Sequence, residues 1–293
     1  MLTIGNFDGV HRGHRALLDR LVRRARDEGA PACVYTFDPP PRVVLAPQQH
    51  RPRVLDWTDK VRLLGEAGVD HVVVEHFTRA FAQHPPDWFV TEVLGRRLGA
   101  RALVVGYDFR FGRARAGDVD LVRRLLPDAQ VEQVSAHGVD GTVVSSSAVR
   151  QAVLDGEVER AAVLLGRPHL VRGTVVAGDQ RGRTIGFPTA NLETDAELVP
   201  APGVYAVWAR IDGGEALPGV ANLGFRPTFA GQAFRVEVHL LDFQGDVYGR
   251  QLEVEFVGRL RGERRFDGVD ELVAQIQRDV VDGRRLLGGE RAP

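Results

Sequence analysis

The sequence has a single cysteine, Cys33, and no apolar run long enough to cross a membrane. One cysteine cannot form an internal disulfide, so nothing in the chain calls for an oxidising compartment. A charged leader followed by an apolar core is also missing. These absences lead us to expect a soluble, cytoplasmic protein. Because Cys33 lies in an apolar stretch, we interpret it as a small buried hydrophobe without chemistry.

An excess of charge of either sign is missing as well, since 38 lysines and arginines stand against 39 acidic residues. No global field would therefore hold a nucleic acid or an anionic membrane, and we expect neither partner. Internal repeats and low-complexity tracts are absent too. The chain has 293 residues, enough for one large domain or two ordinary ones, and its 44% hydrophobic side chains can fill such cores.

The first half of the chain alternates short apolar runs with amphipathic stretches. This rhythm is typical of βαβ units, which build a parallel sheet covered by helices. The predicted strands are 2–4, 32–36, 71–75, 102–105 and 131–134, and the predicted helices are 14–26, 58–67, 88–98 and 151–165. The last helix ends at Gly166 and is followed by Pro168, a stop and a breaker. We therefore predict two domains, 1–166 and 167–293.

The second half changes to short strands separated by turn glycines. The predicted strands are 173–176, 204–211, 217–222, 234–241 and 251–260. This pattern indicates an antiparallel barrel. Apolar residues at helical spacing over 267–287 then predict a closing helix that packs on it.

A first candidate site is the string TIGNFDGVHRGH at residues 3–14, which runs from a strand into a helix. Its glycines let the backbone approach a ligand closely, and helix amides favour phosphate. His11 and His14 are three residues apart, so both imidazoles can face one anion at the start of the helix. Donors placed there stabilise the charge that develops on an α-phosphorus and its leaving pyrophosphate. The four letters HxGH alone fit ordinary polar histidines equally well.

A second candidate site is the glycine-rich string GTVVAGDQRGRTIGFPTANL at residues 173–192. Such a loop can fold over phosphates. It lacks the GKS or GKT ending of a Walker motif and the catalytic Asp and Asn strings of a protein kinase. A different mode of ATP binding is therefore required.

The strand predicted at 234–241 adds a carboxylate to this second site. Alternation along a strand puts Arg235, Glu237 and His239 on one face. A carboxylate within reach of an attacking hydroxyl is a suitable base for phosphoryl transfer. Taken alone, however, Glu237 is more simply a solvated strand residue.

These strings match, in order, the motifs of a known family. GNFDGVHRGH is similar to the flavin-specific form of the HxGH motif of the nucleotidyltransferase superfamily, and GYDFRFG (106–112) and SSSAVR (145–150) match two further motifs. The PTAN string closely resembles the riboflavin kinase signature, and VANLGFRPT (220–228) matches another of its segments. Over nearly its whole length the chain resembles the bifunctional bacterial riboflavin kinase/FMN adenylyltransferase family.

This resemblance implies a Rossmann-like nucleotidyltransferase sheet followed by a riboflavin kinase barrel. It implies that the second half phosphorylates riboflavin with ATP and that the first half transfers AMP from ATP to FMN, with Mg²⁺ required in both steps. The substrates are then riboflavin, FMN and ATP, with FAD as the product. The oligomeric state is not indicated.

The resemblance also carries over site residues. The catalytic set is Glu237 as base, with His11, His14 and Arg150 around the α-phosphorus. The ATP and phosphate set is Gly5, Asn6, Phe7, Gly13, Ser146, Ser147, Gly178, Gly182, Arg183 and Gly186. The metal ligands are Thr189 and Asn191, and the flavin set is Asp108, Phe109 and Asn222.

For several of these residues a plainer interpretation stays open. The serines are also good helix caps. Phe109 is also a core candidate, and a lone asparagine such as Asn222 is often a turn former.

The chain departs from the family pattern in three places. Only two residues precede TIGNFDG, which predicts a short first strand with fewer ladder hydrogen bonds. Pro40 replaces the imidazole of the usual FDPHP string, and Ala148 and Tyr107 also differ. An alternative is therefore a riboflavin kinase with an impaired adenylyltransferase module.

Two further alternatives remain, and the first belongs to a different class of protein. One is a flavin-binding or nucleotide-binding regulator without turnover. The other is a related transferase acting on pantetheine phosphate or a pyridine mononucleotide, which would explain HxGH but neither PTAN nor the barrel.

Overall fold

A computed structural model of the chain describes residues 1–49, 51–139, 141–178, 182, 185–228 and 231–289. By packing, these residues form two units. The first contains Met1–Pro52 and Asp56–Ser146, and the second contains Arg53–Leu55 and Ser147–Pro293. The short segment Arg53–Leu55 thus belongs with the second unit, where the backbone N and Nε of Arg53 donate to the carboxylate of Glu197 at 2.9 and 2.6 Å.

The first unit is built on a parallel sheet, as predicted. Its strands are β1 (Leu2–Ile4), β2 (Cys33–Asp38), β3 (His71–His76), β4 (Ala102–Gly106) and β5 (Gln130–Val134), in the order β3-β2-β1-β4-β5. An alternating βα order with β1 in the centre gives the Rossmann-like arrangement that the resemblance implies.

The central strand β1 is short but well paired. It forms parallel ladders with β2 and β4 on its two sides, and its residues are all buried. Two backbone hydrogen bonds lengthen the ladder beyond the strand, from Cys33 N to Met1 O at 2.9 Å and from Gly5 N to Tyr35 O at 3.1 Å. Cys33 itself is half-buried, and burial raises the pKa of its thiol.

Helices cover this sheet. They are α1 (Arg12–Asp27), α2 (Pro41–Leu45), α3 (Trp57–Glu66), α4 (Arg79–Ala82), α5 (Pro86–Trp88), which continues as a π-helical stretch over Phe89–Arg97, and α6 (Val119–Leu125). Short 3₁₀ turns lie at Pro47–Gln49 and Arg113–Arg115, and a small hairpin joins β6 (Gly138–Val139) to β7 (Thr142–Val143). Helix α1 buries the predicted apolar stripe, including Leu18 and Leu21, against the sheet.

The second unit is a closed barrel, also as predicted. Its strands are β8 (His169–Val176), β9 (Ala190–Glu193), β10 (Gly203–Ile211), β11 (Ala216–Thr228), β12 (Gly231–Leu240) and β13 (Gln251–Arg261), in the order β10-β11-β12-β9-β8-β13. All these neighbours are antiparallel. Two helices, α7 (Ser146–Leu154) and α8 (Val158–Leu165), precede the barrel, and α9 (Val269–Gly289) follows it. None of the helices in the described ranges is long and apolar enough to cross a membrane.

Two predicted elements need correction. The single helix predicted over 151–165 is broken at Gly156, whose φ is +75° and whose Cβ, if it had one, would lie 2.8 Å from Tyr205 Oη. The barrel leaves room only for a glycine there, so the chain forms α7 and α8 instead. The end of this segment at Gly166 is confirmed, in a left-handed C-cap with φ +80°. The second correction is β9, a strand that begins inside the PTAN string, which we expected to be a loop.

The domain boundary predicted at residue 166 is not the point where packing divides the chain. Packing divides it between Ser146 and Ser147, and in the second unit Ala201 N donates to Val153 O of α7 at 3.3 Å. Packing does not report activity, so the functional division at residue 166 stays a prediction.

Candidate active sites

The loop between β1 and α1 is held in an unusual backbone conformation. Val10 N donates to Phe7 O at 3.2 Å, and the φ values of Phe7, Gly9 and Val10 are +48°, +88° and +39°. A left-handed conformation costs about 1–3 kcal/mol for a residue other than glycine. The conformation is especially unfavourable for a β-branched residue such as Val10. Phe7 and Val10 are both fully buried, so packing holds this loop in one shape.

This loop brings His11 and His14 together at the start of α1. His11 is the N-cap, and its Nδ1 accepts a hydrogen bond from His14 N at 3.3 Å. The two rings stack with their centroids 3.6 Å apart and an interplanar angle of 15°. Within the described part of the chain, the buried Nδ1 of His14 has no hydrogen-bond partner. The predicted pair of imidazoles at one helix start is therefore present.

The surroundings of His14 keep its ring neutral at pH 7. Burial is the main cause that lowers its pKa well below 6.5, and the charges of His11 and Lys60 lower it further. Lys60, on α3, is buried and stands over the Trp57 ring at 4.9 Å. Sequence reasoning missed Lys60, although it is the only lysine in the sequence and every other basic side chain besides histidine is arginine. That rarity was the available signal.

Other predicted phosphate residues lie around the same loop. A Cβ at Gly5 would lie 3.1 Å from the Phe7 ring, and one at Gly13 would lie 3.2 Å from the His11 ring. Asn6 is exposed, and its carbonyl accepts a hydrogen bond from Thr36 Oγ1 at 3.4 Å. The two glycines thus leave room for the side chains that shape the loop.

The serine motif lies where the packing units divide. Ser146, the last residue of the first unit, donates its hydroxyl to Asp8 O at 2.7 Å. Ser147 is exposed and Arg150 is half-buried, and both are counted with the second unit. Ser146 therefore supports the loop, and the phosphate roles of Ser147 and Arg150 stay predictions.

The predicted flavin side of the first unit follows β4. Phe109 N donates to Gly106 O at 3.1 Å, which leaves Asp108 exposed at the tip of a turn. Phe109 is partly buried against Phe111, with the ring centroids 5.2 Å apart, and Phe111 itself belongs to the core. Phe111 is therefore a core residue, whereas part of the Phe109 side chain stays accessible.

Pro40, the departure from the family string, caps α2. It makes no side-chain hydrogen bond there.

The second candidate site lies on the outer face of the barrel. Glu237 of β12 is paired with Asn191 of β9 on one side and with Asn222 of β11 on the other. Residues paired in this way project from the same face of a sheet. The neighbours Val236 and Val238 are buried in the core, so Glu237 points outward and is half-buried. The structure therefore brings the predicted base, a predicted metal ligand and a predicted flavin residue into one row.

Asn191 has the properties expected of a metal ligand. Its Oδ1 is buried and has no hydrogen-bond partner among the described residues. A Cβ at Gly178 would lie only 2.1 Å from Asn191 Nδ2, so a glycine is required where this loop leaves β8. Thr189 lies two residues before Asn191, and in an extended chain such positions share a face.

The remaining glycines shape the loop before Thr189. A Cβ at Gly182 would lie 2.3 Å from Phe187 O and 3.4 Å from Thr189 Oγ1. Gly186 has a φ of +88°. Arg183, a predicted phosphate residue, lies outside the described residues.

A residue to which the sequence assigned no role also touches this loop. His239 Nδ1 lies 2.8 Å from Pro188 O, and its ring is edge-on to Phe187 at 5.6 Å. Alternation along the strand had already placed His239 on the same face as Glu237. That shared face was the sequence signal for a role of His239 at this site.

The two oxygens available here fit magnesium. The hydroxyl of Thr189 and the orphaned amide oxygen of Asn191 are hard donors, and Mg²⁺ needs few protein ligands when phosphates and water supply the rest.

Comparisons with known proteins agree over both units. The family model described as FAD synthetase matches residues 1–148, and the one described as riboflavin kinase matches residues 165–287. The "bifunctional riboflavin kinase/FMN adenylyltransferase" of Escherichia coli strain K12 is 44% identical over 290 residues, which is 98% of this chain and 93% of the relative. The protein of the same name from Bacillus subtilis strain 168 is 35% identical over 302 residues, covering 99% and 93%.

A solved structure supports the fold over 97% of the chain. The crystal structure named "macrolide-efflux protein from Streptococcus pneumoniae" matches with a TM-score of 0.90 and 34% identity, covering 97% of this chain and 93% of that one. Its name describes that protein, and we take from it the fold alone.

Proposed function

The chain belongs to the bifunctional riboflavin kinase/FMN adenylyltransferase family, and we propose that it converts riboflavin to FMN and then FMN to FAD, using ATP in each step. The observation that carries this proposal is the row in which Glu237 stands between Asn191 and Asn222, because it joins a base to a metal ligand on one face of the barrel. The histidine pair of the first unit supplies the second reaction.

For riboflavin phosphorylation, we assign Glu237 as the base that accepts the proton of the ribityl hydroxyl as it attacks the γ-phosphorus. Thr189 and Asn191 would hold Mg²⁺, which neutralises charge on the nucleotide phosphates when it is bound. Gly178, Gly182 and Gly186 let the backbone approach those phosphates closely, Arg183 is assigned to the same phosphate set, and Asn222 faces the flavin.

For adenylyl transfer, an oxygen of the FMN phosphate attacks the α-phosphorus of ATP and pyrophosphate leaves. His11 and His14 donate to the oxygens on which negative charge develops, so no covalent intermediate is needed. The backbone of Gly5, Asn6, Phe7 and Gly13 allows the triphosphate to approach the start of α1 closely.

The remaining residues complete the adenylyl site. Arg150 supplies a guanidinium to the phosphates, together with the hydroxyls of Ser146 and Ser147. Asp108 and Phe109 contact the flavin. Since both reactions consume ATP, a cytoplasmic location is part of the proposal.

One chromatographic assay with riboflavin, ATP and Mg²⁺ tests this function. We expect FMN to form first and FAD to follow, with release of pyrophosphate. Accumulation of FMN without FAD would instead indicate an impaired adenylyltransferase module, an alternative that the matches to the FAD synthetase model and to bifunctional relatives do not favour. Tight binding of flavin without any product would indicate a binding protein.

A further inference from the structure

His239 occupies a specific place beside the proposed kinase site. It lies two residues after Glu237 on β12, and the residues on either side of it, Val238 and Leu240, are buried in the core. His239 therefore projects from the same outer face as Glu237. It lies beside the row of Asn191, Glu237 and Asn222, two residues further along β12, where its partner on β11 is Val220.

Among the described residues, the ring contacts the segment before the metal ligands in two ways. Nδ1 is 2.8 Å from Pro188 O, and because a carbonyl only accepts, Nδ1 must carry the proton and donate it. The Phe187 ring packs against the imidazole in a T-shaped arrangement, with the centroids 5.6 Å apart and an interplanar angle of 77°. Proline has no backbone N–H, so its carbonyl is the group through which this position can be tied to the barrel.

These contacts fix the point at which the glycine loop returns to the barrel. Phe187 N donates to Gly182 O at 2.8 Å, which closes the turn immediately before Pro188. The next residue but one, Ala190, is already paired with Val238 of β12. Thr189 thus lies between an anchored carbonyl and a paired strand, so its backbone has little freedom to move.

We propose that His239 is a positioning residue for riboflavin phosphorylation. By donating to Pro188 O it fixes the segment from which Thr189 and Asn191 present their oxygens, so that both reach the point faced by Glu237. This inference rests on the proposed kinase function of the barrel. The plainer alternative is a histidine that contributes to the stability of the barrel and nothing else.

The test compares three variants of the full chain. His239→Ala removes the donor, while His239→Asn keeps one, because the amide Nδ2 of asparagine takes about the position of imidazole Nδ1. Gln251→Ala is the matched control, since it removes a 2.8 Å hydrogen bond to Thr174 elsewhere on the outer face of the barrel. The affinity for ADP with Mg²⁺ is measured by calorimetry without turnover, and the KM for ATP in riboflavin phosphorylation is measured beside it.

We expect His239→Ala to weaken the binding of ADP with Mg²⁺ about tenfold and to raise the KM for ATP similarly, because it removes one intramolecular hydrogen bond that holds the segment of Thr189 and Asn191 in place. His239→Asn should stay within about twofold of the unchanged protein, as should Gln251→Ala. FMN adenylylation should be unaffected in all three variants.

The inference is overturned if His239→Ala binds the nucleotide normally, if Gln251→Ala loses as much affinity, or if asparagine fails to restore binding. If the unchanged protein makes no FMN from riboflavin, the proposed function fails instead, and the two failures are thus told apart.

Discussion

Asn191 and Glu237 are paired across the ladder that joins β9 to β12, so a proposed metal ligand and the proposed base project side by side from one face of the barrel. A ladder of backbone hydrogen bonds sets this relationship. The adjacent placement of the two Cβ atoms therefore does not depend on a side-chain rotamer. Changes that act on either residue should affect riboflavin phosphorylation and leave adenylyl transfer alone.

Glu237→Gln should abolish FMN formation while FMN adenylylation stays nearly intact. The amide has the shape of the carboxylate but cannot accept the proton of the hydroxyl, and general-base catalysis contributes roughly 10²–10⁴-fold. Separate assays started from riboflavin and from FMN give the two rates. Loss of both activities in a folded protein would show that the proposed division of labour is wrong.

His14→Ala should have the opposite effect and lower FMN adenylylation by roughly 10²–10³-fold, because it removes one donor to the oxygens at the α-phosphorus. The kinase rate of the same preparation serves as an internal standard. His71→Ala, which changes an exposed histidine at the start of β3, is the matched control and should leave both rates unchanged.

Gly178→Ala should impair riboflavin phosphorylation by displacing Asn191, because the added methyl group would lie 2.1 Å from Asn191 Nδ2. We expect weaker binding of ADP with Mg²⁺ in calorimetry. Gly268→Ala is a control in the same unit, since a Cβ there meets nothing within 4 Å. If both variants bind ADP with Mg²⁺ equally well, the loop moves to accommodate the methyl group and Asn191 keeps its position.

His14 should titrate well below 6.5, because burial, His11 and Lys60 all lower its pKa. Proton NMR of the ring, assigned by comparison with His14→Gln, measures this pKa directly. Lys60→Met removes one of the three causes and should raise the pKa, whereas Lys60→Arg preserves the charge and should leave it low. If the methionine variant titrates like the unchanged protein, Lys60 does not act on His14.

The stability of the barrel should decrease in acid because of His169. Its Nε2 is 3.0 Å from Leu198 O, and its buried Nδ1 has no hydrogen-bond partner in the described residues. Burial lowers its pKa from 6.5 to about 4. Between pH 6.5 and about 4, His169 binds a proton in the unfolded chain but not in the folded barrel. The free energy of unfolding should therefore fall by about 3 kcal/mol as the pH falls from 6.5 to about 4.

Urea unfolding checks this prediction in a Trp57→Phe, Trp88→Phe background, where Trp208 is the one remaining tryptophan of three. His169→Gln keeps a donor for Leu198 O but has no ring to titrate. Its unfolding free energy should therefore vary less with pH. An unchanged slope in this variant would contradict the assignment.

The regular elements followed from local pattern. Period-two runs of β-branched residues and helical stripes predicted all five strands of the sheet and the closed barrel, since burial of one face leaves a periodic trace in the sequence. The break at Gly156 left no such trace. It depends on Tyr205, almost fifty positions away, whose hydroxyl occupies the space of a side chain.

The sites were predicted in part. The histidine pair at the start of α1 could be placed from residue spacing alone, because both members lie on one helix turn. The row of Asn191, Glu237 and Asn222 could not, since it requires the registers of three strands distant in sequence. His239 and Lys60 were missed for the same reason, because their partners are set by tertiary packing.

The placement of Arg53–Leu55 with the second unit bears on any attempt to dissect the enzyme. A fragment that starts at residue 147 or 167 would lack Arg53, whose two hydrogen bonds hold Glu197, and would lack the buried side chains of Val54 and Leu55. Burial of two such side chains stabilises a fold by roughly 3–6 kcal/mol, a large part of the stability of a small domain. An isolated kinase half would therefore lack residues that pack with the second unit, and poor yield of that fragment would say nothing about its chemistry.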